Sequence, residues 1–210
     1  MEQYWLQFLT VIVVHFLAVA SPGPDFMVVT KNAVSHSRKT GIWTALGVGA
    51  GISVHVAYCL LGIGFIISQS IVLFNIIKLI GAAYLIYIGY KAIRSKPHVA
   101  TAETVVEDKK VLTHFQAFKS GFLVNVLNPK ATLFFLALFT QVIDPGTPML
   151  IKLAYGMEMM VATTVWFSIV ALVFSNEVLK QKIHRIQHHI DRVTGVVLIG
   201  LGIKVALSDK

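Results

Sequence analysis

The sequence predicts an all-α integral membrane protein that forms one domain of six transmembrane helices over residues 1–210. Hydrophobic residues make up 56% of the chain and charged residues only 13%, whereas an ordinary soluble domain has roughly 25% charged residues. Residues 3–24 and 40–77 contain no formal charge, and the second run is too long for one crossing of about 20 residues. We therefore divide it at residues 68–70, and the predicted spans are 4–24, 41–67, 70–90, 120–143, 148–174 and 192–207.

The first span contains a proline motif, which consists of Ser21, Pro22, Gly23, Pro24 and Asp25. A continuous helix over residues 4–30 would be about 40 Å long, which exceeds the hydrocarbon core of about 30 Å. Proline is favoured at the first position of a helix, and an acidic side chain stabilises the positive end of the helix dipole. We therefore predict that one helix stops near Ser21 and another starts near Pro24.

The fourth span contains a second motif of the same kind, in which Asn128, Pro129 and Lys130 follow Asn125. Asn128 fits the N-cap and Pro129 the first position of a new helix that runs to about Ile143. A cation at Lys130 opposes the helix dipole, which costs a few tenths to about 1 kcal/mol unless an anion or carboxylate lies opposite.

The distribution of cations predicts the orientation in the membrane. Alternate loops hold 13 of the 18 Lys and Arg residues, and the opposite loops hold almost none. By the positive-inside rule the basic loops, including the linker 91–118, are cytoplasmic and both termini lie outside the cytoplasm. The net charge of +8 is then a topology signal. Nucleic-acid binding is not expected, since the cations do not lie on a folded soluble module.

The linker divides the predicted spans into three plus three, which suggests an inverted repeat. Because three is odd, the second half enters the membrane from the opposite side. The two proline breaks fall in spans one and four, and Lys78 with Gly81 echoes the spacing of Arg192 with Gly195. Broken helices at corresponding positions of two halves are a pointer to the binding site of a secondary transporter.

Each restarted helix offers unpaired N–H groups and a partial positive charge, which together form a ready anion site. A small zwitterion such as an amino acid could place its carboxylate there and its ammonium near Asp25. The alternative is that the prolines only kink packed helices, with Asp25 as a simple cap and Lys130 extended to the cytoplasmic surface.

Other polar residues in the spans each have a functional and a structural explanation. Glu158 is a functional candidate because burying a carboxylate in a membrane is costly, but it could also face water near the outer surface. The role of Lys78 stays open. His15 and His55 are candidates for a proton relay, although a hydrogen-bonded core histidine is the commoner situation. We predict no metal site. Histidines with the i, i+4 spacing of metal ligands do occur, in the group His184, His188, His189 and Asp191. They lie in a basic stretch that is better explained as an interfacial helix.

Motifs spread over the whole chain resemble the lysine exporter superfamily, in particular its homoserine and threonine resistance branch. They are the two proline motifs together with a glycine- and tyrosine-rich segment in span three, whose residues are Gly81, Ala82, Ala83, Tyr84, Leu85, Gly89 and Tyr90. The resemblance implies secondary-active export of a small neutral amino acid, such as threonine or homoserine, by proton antiport across a bacterial inner membrane. It also implies that the protein is not an enzyme and needs neither ATP nor a cofactor. Asp25, Asn128, Pro129 and Lys130 occupy the positions of the family's motif residues.

The expected partners are a small amino-acid substrate, protons and the lipid bilayer, with no nucleic acid. A homo-oligomer stays open, since the small residues Gly47, Gly49 and Gly51 could pack helices within one subunit or between two. Export of a metal or other inorganic ion is the nearest alternative function, but soft-metal export favours Cys, Met or His clusters and the chain has one cysteine, Cys59. An intramembrane enzyme is the second alternative, and no catalytic constellation supports it.

Overall fold

The computed structural model describes residues 2–94, 112–141, 143, 146–175 and 177–207. All regular secondary structure in these ranges is helical, which confirms the predicted all-α class. In chain order the helices are α1 (Glu2–Ala20), α2 (Pro24–Ser35), α3 (Arg38–Gln69), α4 (Ile71–Ile93), α5 (His114–Val126), α6 (Pro129–Gln141), α7 (Met149–Phe174) and α8 (Glu177–Leu207).

Both predicted helix breaks are confirmed. α1 ends at Ala20 and α2 begins at Pro24, with a bend of 57° between them. α5 ends at Val126 and α6 begins at Pro129, with a bend of 56°. In each case a proline occupies the first helical position. A backbone N–H at that position has no partner within the helix, so proline, which lacks the N–H, loses nothing there.

The described helices account for up to five membrane spans by length and composition. Three single helices qualify, and each bent pair adds one more span if it is counted as a unit. The single helices are Arg38–Gly62, Asn75–Ile93 and Met149–Phe174. The predicted sixth span, 192–207, lies in the second half of α8 and is not among them, so the count of six stays a prediction. Residues 95–111 of the predicted linker lie outside the described residues.

α4 and α8 cross through a reciprocal glycine contact. A methyl group added to Gly89 would lie 2.7 Å from the carbonyl oxygen of Gly195, and one added to Gly195 would lie 2.5 Å from that of Gly89. Each glycine also faces the residue four positions beyond the other glycine, namely Ile199 and Ile93. This exchange of contacts has the geometry of a local two-fold axis, and the two helices run antiparallel.

The same relation extends to other parts of the two halves. α3 and α7 also cross antiparallel, with Gly49 against Thr164 and Gly156 against Val56. The equivalent positions are separated by nearly constant distances along the chain: 105 residues from Pro24 to Pro129, 107 from Gly49 to Gly156 and 106 from Gly89 to Gly195. The fold is therefore consistent with an inverted repeat.

The proposed equivalence of Gly81 and Gly195 is wrong. Gly81 lies against Ala137 of α6, whereas the partner of Gly195 is Gly89. The spacing in the sequence was misleading because α4 has two glycines, eight residues apart, and only the helix crossing shows which of them pairs with Gly195.

Gly47, Gly49 and Gly51 of α3 pack against other helices of the same subunit. Gly47 lies against the backbone of Phe118 in α5, and Gly51 lies against the side chain of Asn125 one turn further along. From the other side, Gly121 lies against the carbonyl of Thr44. Small residues thus let α3 and α5 approach in parallel at backbone distance. This approach carries Asn125 to the centre of the molecule, where 1% of its surface is exposed.

Candidate functional site

The two helix breaks face each other across a cavity in the middle of the fold. The cavity has a volume of about 40 Å³, which is room for a few water molecules, and it is partly open to the outside through a mouth. α1, α2, α3, α5, α6 and α7 all contribute to its walls. Among its polar lining residues are His15, Ser21, Asp25, Asn125, Asn128, Lys130 and Thr163.

Asp25 joins the two halves of the chain at this cavity. Its Oδ2 accepts hydrogen bonds from Nδ2 of Asn125 at 3.1 Å and from Nδ2 of Asn128 at 3.0 Å. The donors lie 100 and 103 residues further along the chain. Oδ1 of Asp25 is buried and has no hydrogen-bond partner. A buried carboxylate oxygen without a partner costs free energy, and a cationic ligand or a proton would relieve that cost.

The two restarted helices differ in their N-caps. At α6, Oδ1 of Asn128 accepts a hydrogen bond from the backbone N–H of Lys130 at 3.0 Å, as the sequence predicted for an N-cap. At α2 the N-cap is Gly23, which has no side chain to accept a hydrogen bond. Of the two restarted helices, α2 is therefore the one whose start lacks a side-chain cap. Uncapped N–H groups at a helix start can bind an anion.

Lys130 turns toward the first break. Its Nζ donates a hydrogen bond of 2.7 Å to the carbonyl oxygen of Ser21, just beyond the end of α1. Its side chain also passes next to Gly23, two residues before Asp25. The alternative in which Lys130 extends to the cytoplasmic surface is therefore wrong. An ammonium group at the negative end of α1 gains the dipole energy that it loses at the start of α6.

His55 and Tyr58 of α3 lie within hydrogen-bonding distance of the backbone on either side of the second break. Nε2 of His55 donates to the carbonyl oxygen of Asn125 at 3.0 Å, and Nδ1 shares a hydrogen bond of 2.8 Å with the Tyr58 hydroxyl. The Tyr58 hydroxyl oxygen also lies 3.3 Å from the carbonyl oxygen of Thr132, and its single hydrogen can bond either this oxygen or Nδ1 of His55. Sequence reasoning missed Tyr58, although a spacing of three residues from His55 places both side chains on one helix face.

His15 lies in the wall of the cavity and is 1% exposed. Its Nε2 is 3.1 Å from Oγ1 of Thr163 in α7, while Nδ1 is buried and has no partner. Its ring packs against those of Phe134 and Phe135, with centroids 6.2 and 6.3 Å away. Thr163 was also missed, since its partner lies 148 residues away and no local pattern marks it.

The hydrogen bonds of the two histidines lead to different partners. The ring of Phe135 contacts both, stacking on His55 at 5.3 Å and meeting His15 edge-on. A proton relay through either histidine stays a prediction, and the hydrogen bonds described above do not connect His15 to His55.

The remaining candidates lie outside the cavity lining. Glu158 is half-buried in α7, and its Oε2 is buried without a hydrogen-bond partner. Lys78 in α4 is 6% exposed. The side chains of the histidine pattern at 184–191 lie outside the described residues. Among the side chains that are described, no three of His, Cys, Asp and Glu come close enough to hold a metal ion.

Comparison with known proteins gives consistent matches over nearly the whole chain. The family described as LysE type translocator matches residues 16–209. The threonine efflux protein of Escherichia coli K12 is 31% identical over 201 residues, which cover 96% of this chain and 98% of that protein. The threonine efflux protein of Salmonella typhi is 31% identical with the same coverage, and an uncharacterized membrane protein of Bacillus subtilis is 30% identical over 91% of this chain and 94% of its own. No solved structure matches the chain.

Proposed function

Because this chain belongs to the family of LysE type translocators, which are transporters and not enzymes, we propose that it exports small neutral amino acids from the bacterial cytoplasm. The observation that carries the proposal is the meeting of two helix breaks at one cavity with a carboxylate and an ammonium group between them. The names of the threonine efflux proteins point to the same class of substrate. An intramembrane enzyme is excluded by the family.

The charges at the cavity suit the two ends of an amino acid. The substrate carboxylate binds the uncapped N-terminus of α2 and the ammonium group of Lys130, which passes next to Gly23. The substrate ammonium binds Oδ1 of Asp25, the carboxylate oxygen without a partner. Both interactions are charge-assisted hydrogen bonds, which are roughly twice as strong as neutral ones.

This assignment changes one detail of the sequence prediction. Lys130 keeps its role in holding the substrate carboxylate, but the helix N-terminus beside it belongs to α2. Asn128 caps its own helix and, together with Asn125, holds Asp25 in place through Oδ2. Ser21, Pro22, Gly23 and Pro24 provide the break, and the carbonyl of Ser21 holds Lys130 until the substrate arrives.

Export is coupled to protons through Asp25. Oδ1 can be neutralised by a proton or paired with the substrate ammonium, but it cannot accept both at once. A carrier that exchanges one cation for the other at a single carboxylate performs antiport. Proton entry through His15 or His55, and a secondary role for Glu158 on the substrate route, are parts of this proposal. We also propose an inner-membrane location with both termini outside the cytoplasm, as the cation distribution predicts.

Uptake by inverted membrane vesicles tests this function. Export from the cytoplasm corresponds to uptake into the vesicle lumen, so labelled threonine and homoserine should accumulate when the lumen is made acidic. A protonophore should abolish the accumulation, and vesicles without the protein provide the baseline. A failure to transport any small neutral amino acid would refute the proposal, and transport that ignores the proton gradient would refute the coupling alone. A divalent metal ion, tested in parallel, should not be transported.

A further inference from the structure

His15 has a buried hydrogen-bonding atom that the proposed binding of the two charged groups does not use. We infer that Nδ1 of His15 hydrogen-bonds the side-chain hydroxyl of the exported amino acid, with Thr163 holding the imidazole in position. His15 then selects substrates that carry a hydroxyl group over isosteric apolar ones. This inference rests on the proposed function, since it assigns a specificity residue within the same cavity.

The position of His15 suits the side chain of a bound amino acid. His15 and Ser21 both line the cavity, and they lie six residues apart on the same chain segment, about 9 Å along the axis of α1. The charged groups of the site are at the Ser21 end. A small amino acid that is anchored there by its ammonium and carboxylate groups therefore extends its side chain toward His15.

Nδ1 of His15 has no partner within the protein, and His15 lines the cavity. The other ring nitrogen is occupied by Thr163, and the rings of Phe134 and Phe135 form apolar walls beside the imidazole. A hydroxyl group can donate to Nδ1 in one imidazole tautomer and accept from it in the other. It therefore satisfies His15 in whichever tautomer the contact with Thr163 selects.

An unpaired polar atom of this kind makes a site selective. A site built to hydrogen-bond a substrate hydroxyl can reject the analogue that lacks it by about 10⁴-fold or more, whereas an apolar pocket distinguishes similar substrates only about 10- to 200-fold. Threonine and valine are the decisive pair, because they have nearly the same shape and differ by a hydroxyl in place of a methyl group.

The experiment measures how strongly unlabelled threonine and valine compete with labelled threonine for uptake by inverted vesicles. For the wild type we expect threonine to compete at least about 100-fold better than valine. His15→Leu should reduce this ratio to below about tenfold, and Thr163→Val should reduce it in the same direction by loosening the imidazole. Thr194→Val is the matched control, since Thr194 is also buried with an unpaired hydroxyl but does not line the cavity. Its ratio should equal that of the wild type.

Each outcome separates this inference from the proposed function. If the wild type transports amino acids but does not distinguish threonine from valine, the role of His15 is refuted and the transport function stands. The same conclusion follows if both His15→Leu and Thr163→Val keep the wild-type ratio. That result is expected if a buried water molecule, and not the substrate, bonds Nδ1. If His15→Leu does not fold, His15→Gln and Thr163→Val decide the matter. If no amino acid is transported at all, the proposed function itself has failed.

Discussion

Asp25 and Lys130 occupy equivalent positions in the two halves of the chain with opposite charges. Each is the second residue of a restarted helix and follows the proline that begins it. The carboxylate of Asp25 suits the positive end of its own helix, whereas the cation of Lys130 does not. The side chain of Lys130 resolves the conflict by crossing to the carbonyl of Ser21 at the negative end of α1. The cation therefore stabilises a helix end that is remote from it in sequence.

Replacing Asp25 by asparagine should abolish coupled transport and leave the protein folded. The new amide oxygen can still accept the hydrogen bonds of Asn125 and Asn128, but the negative charge is lost. A hydrogen bond to a charged group contributes about 1.5–3 kcal/mol, so substrate affinity should fall about 10- to 100-fold. Vesicle uptake over a range of pH, together with thermal unfolding, measures both effects. Wild-type transport with wild-type pH dependence would reduce Asp25 to a structural residue.

Replacing Lys130 by methionine should weaken substrate binding about 10- to 100-fold, since a charged hydrogen bond to the substrate carboxylate is removed. The bond to Ser21 is also lost, and relief of up to about 1 kcal/mol of dipole repulsion offsets part of that loss. The free energy of unfolding should therefore fall by no more than about 2 kcal/mol. Lys130→Arg, which keeps the charge, is the control.

The alternative for Lys130 is a purely structural pairing with Asp25. In that case Lys130→Met strands a buried carboxylate, and the free energy of unfolding should fall by about 3–5 kcal/mol. Binding to purified protein and thermal unfolding on the same sample decide between the two. A large loss of stability with unchanged affinity of the folded fraction contradicts the binding role.

Gly121→Ala should separate α3 from α5. The added methyl group would collide with the backbone carbonyl of Thr44, which cannot move away without shifting the helix. Overpacking of this kind costs about 1–3 kcal/mol or more. Gly200→Ala is the matched control, because nothing lies within 4 Å of the added group, and the helix should gain up to about 1 kcal/mol from alanine.

The effect of Gly121→Ala should also reach the cavity. Asn125 lies one turn beyond Gly121, so a displaced α5 moves the amide that holds Asp25. Thermal unfolding gives the loss of stability, and substrate affinity at a temperature where both variants are folded gives the loss of binding. Equal stabilities of the two alanine variants would contradict the close packing of α3 on α5.

The predicted orientation is tested by cysteine labelling in a background that lacks Cys59. Lys39 and Met149 are exposed and lie at opposite ends of the antiparallel helices α3 and α7. An impermeant thiol reagent added to intact cells should label a cysteine at position 149 directly and one at position 39 only after permeabilisation. The reverse pattern would place the basic loops outside the cytoplasm.

The local features of the fold were predictable from the sequence, and the contacts between its halves were not. Pro24 and Pro129 mark helix starts because the fixed backbone of proline determines structure at its own position. The division after Gln69 is similarly local. By contrast, the pairing of Asp25 with Asn125 depends on how α3 and α5 pack, and sequence patterns do not give that packing. The acceptor of the Lys130 ammonium group was not predictable for the same reason, since Ser21 is 109 residues away along the chain.

The reciprocal contact between Gly89 and Gly195 has a consequence for the working cycle. When two helices are related by a two-fold axis, each can adopt the conformation of the other. The contacts between them then remain of the same kind. Yet the two halves are not packed alike, because α2 rests on α3, α7 and α5, whereas its counterpart α6 rests mainly on α4 and α3. We therefore expect a second conformer in which α6 rests on α7 and the mouth of the cavity lies on the opposite side of the membrane. Alternating access would then follow from the symmetry of the chain, with the Gly89–Gly195 crossing as the fixed pivot.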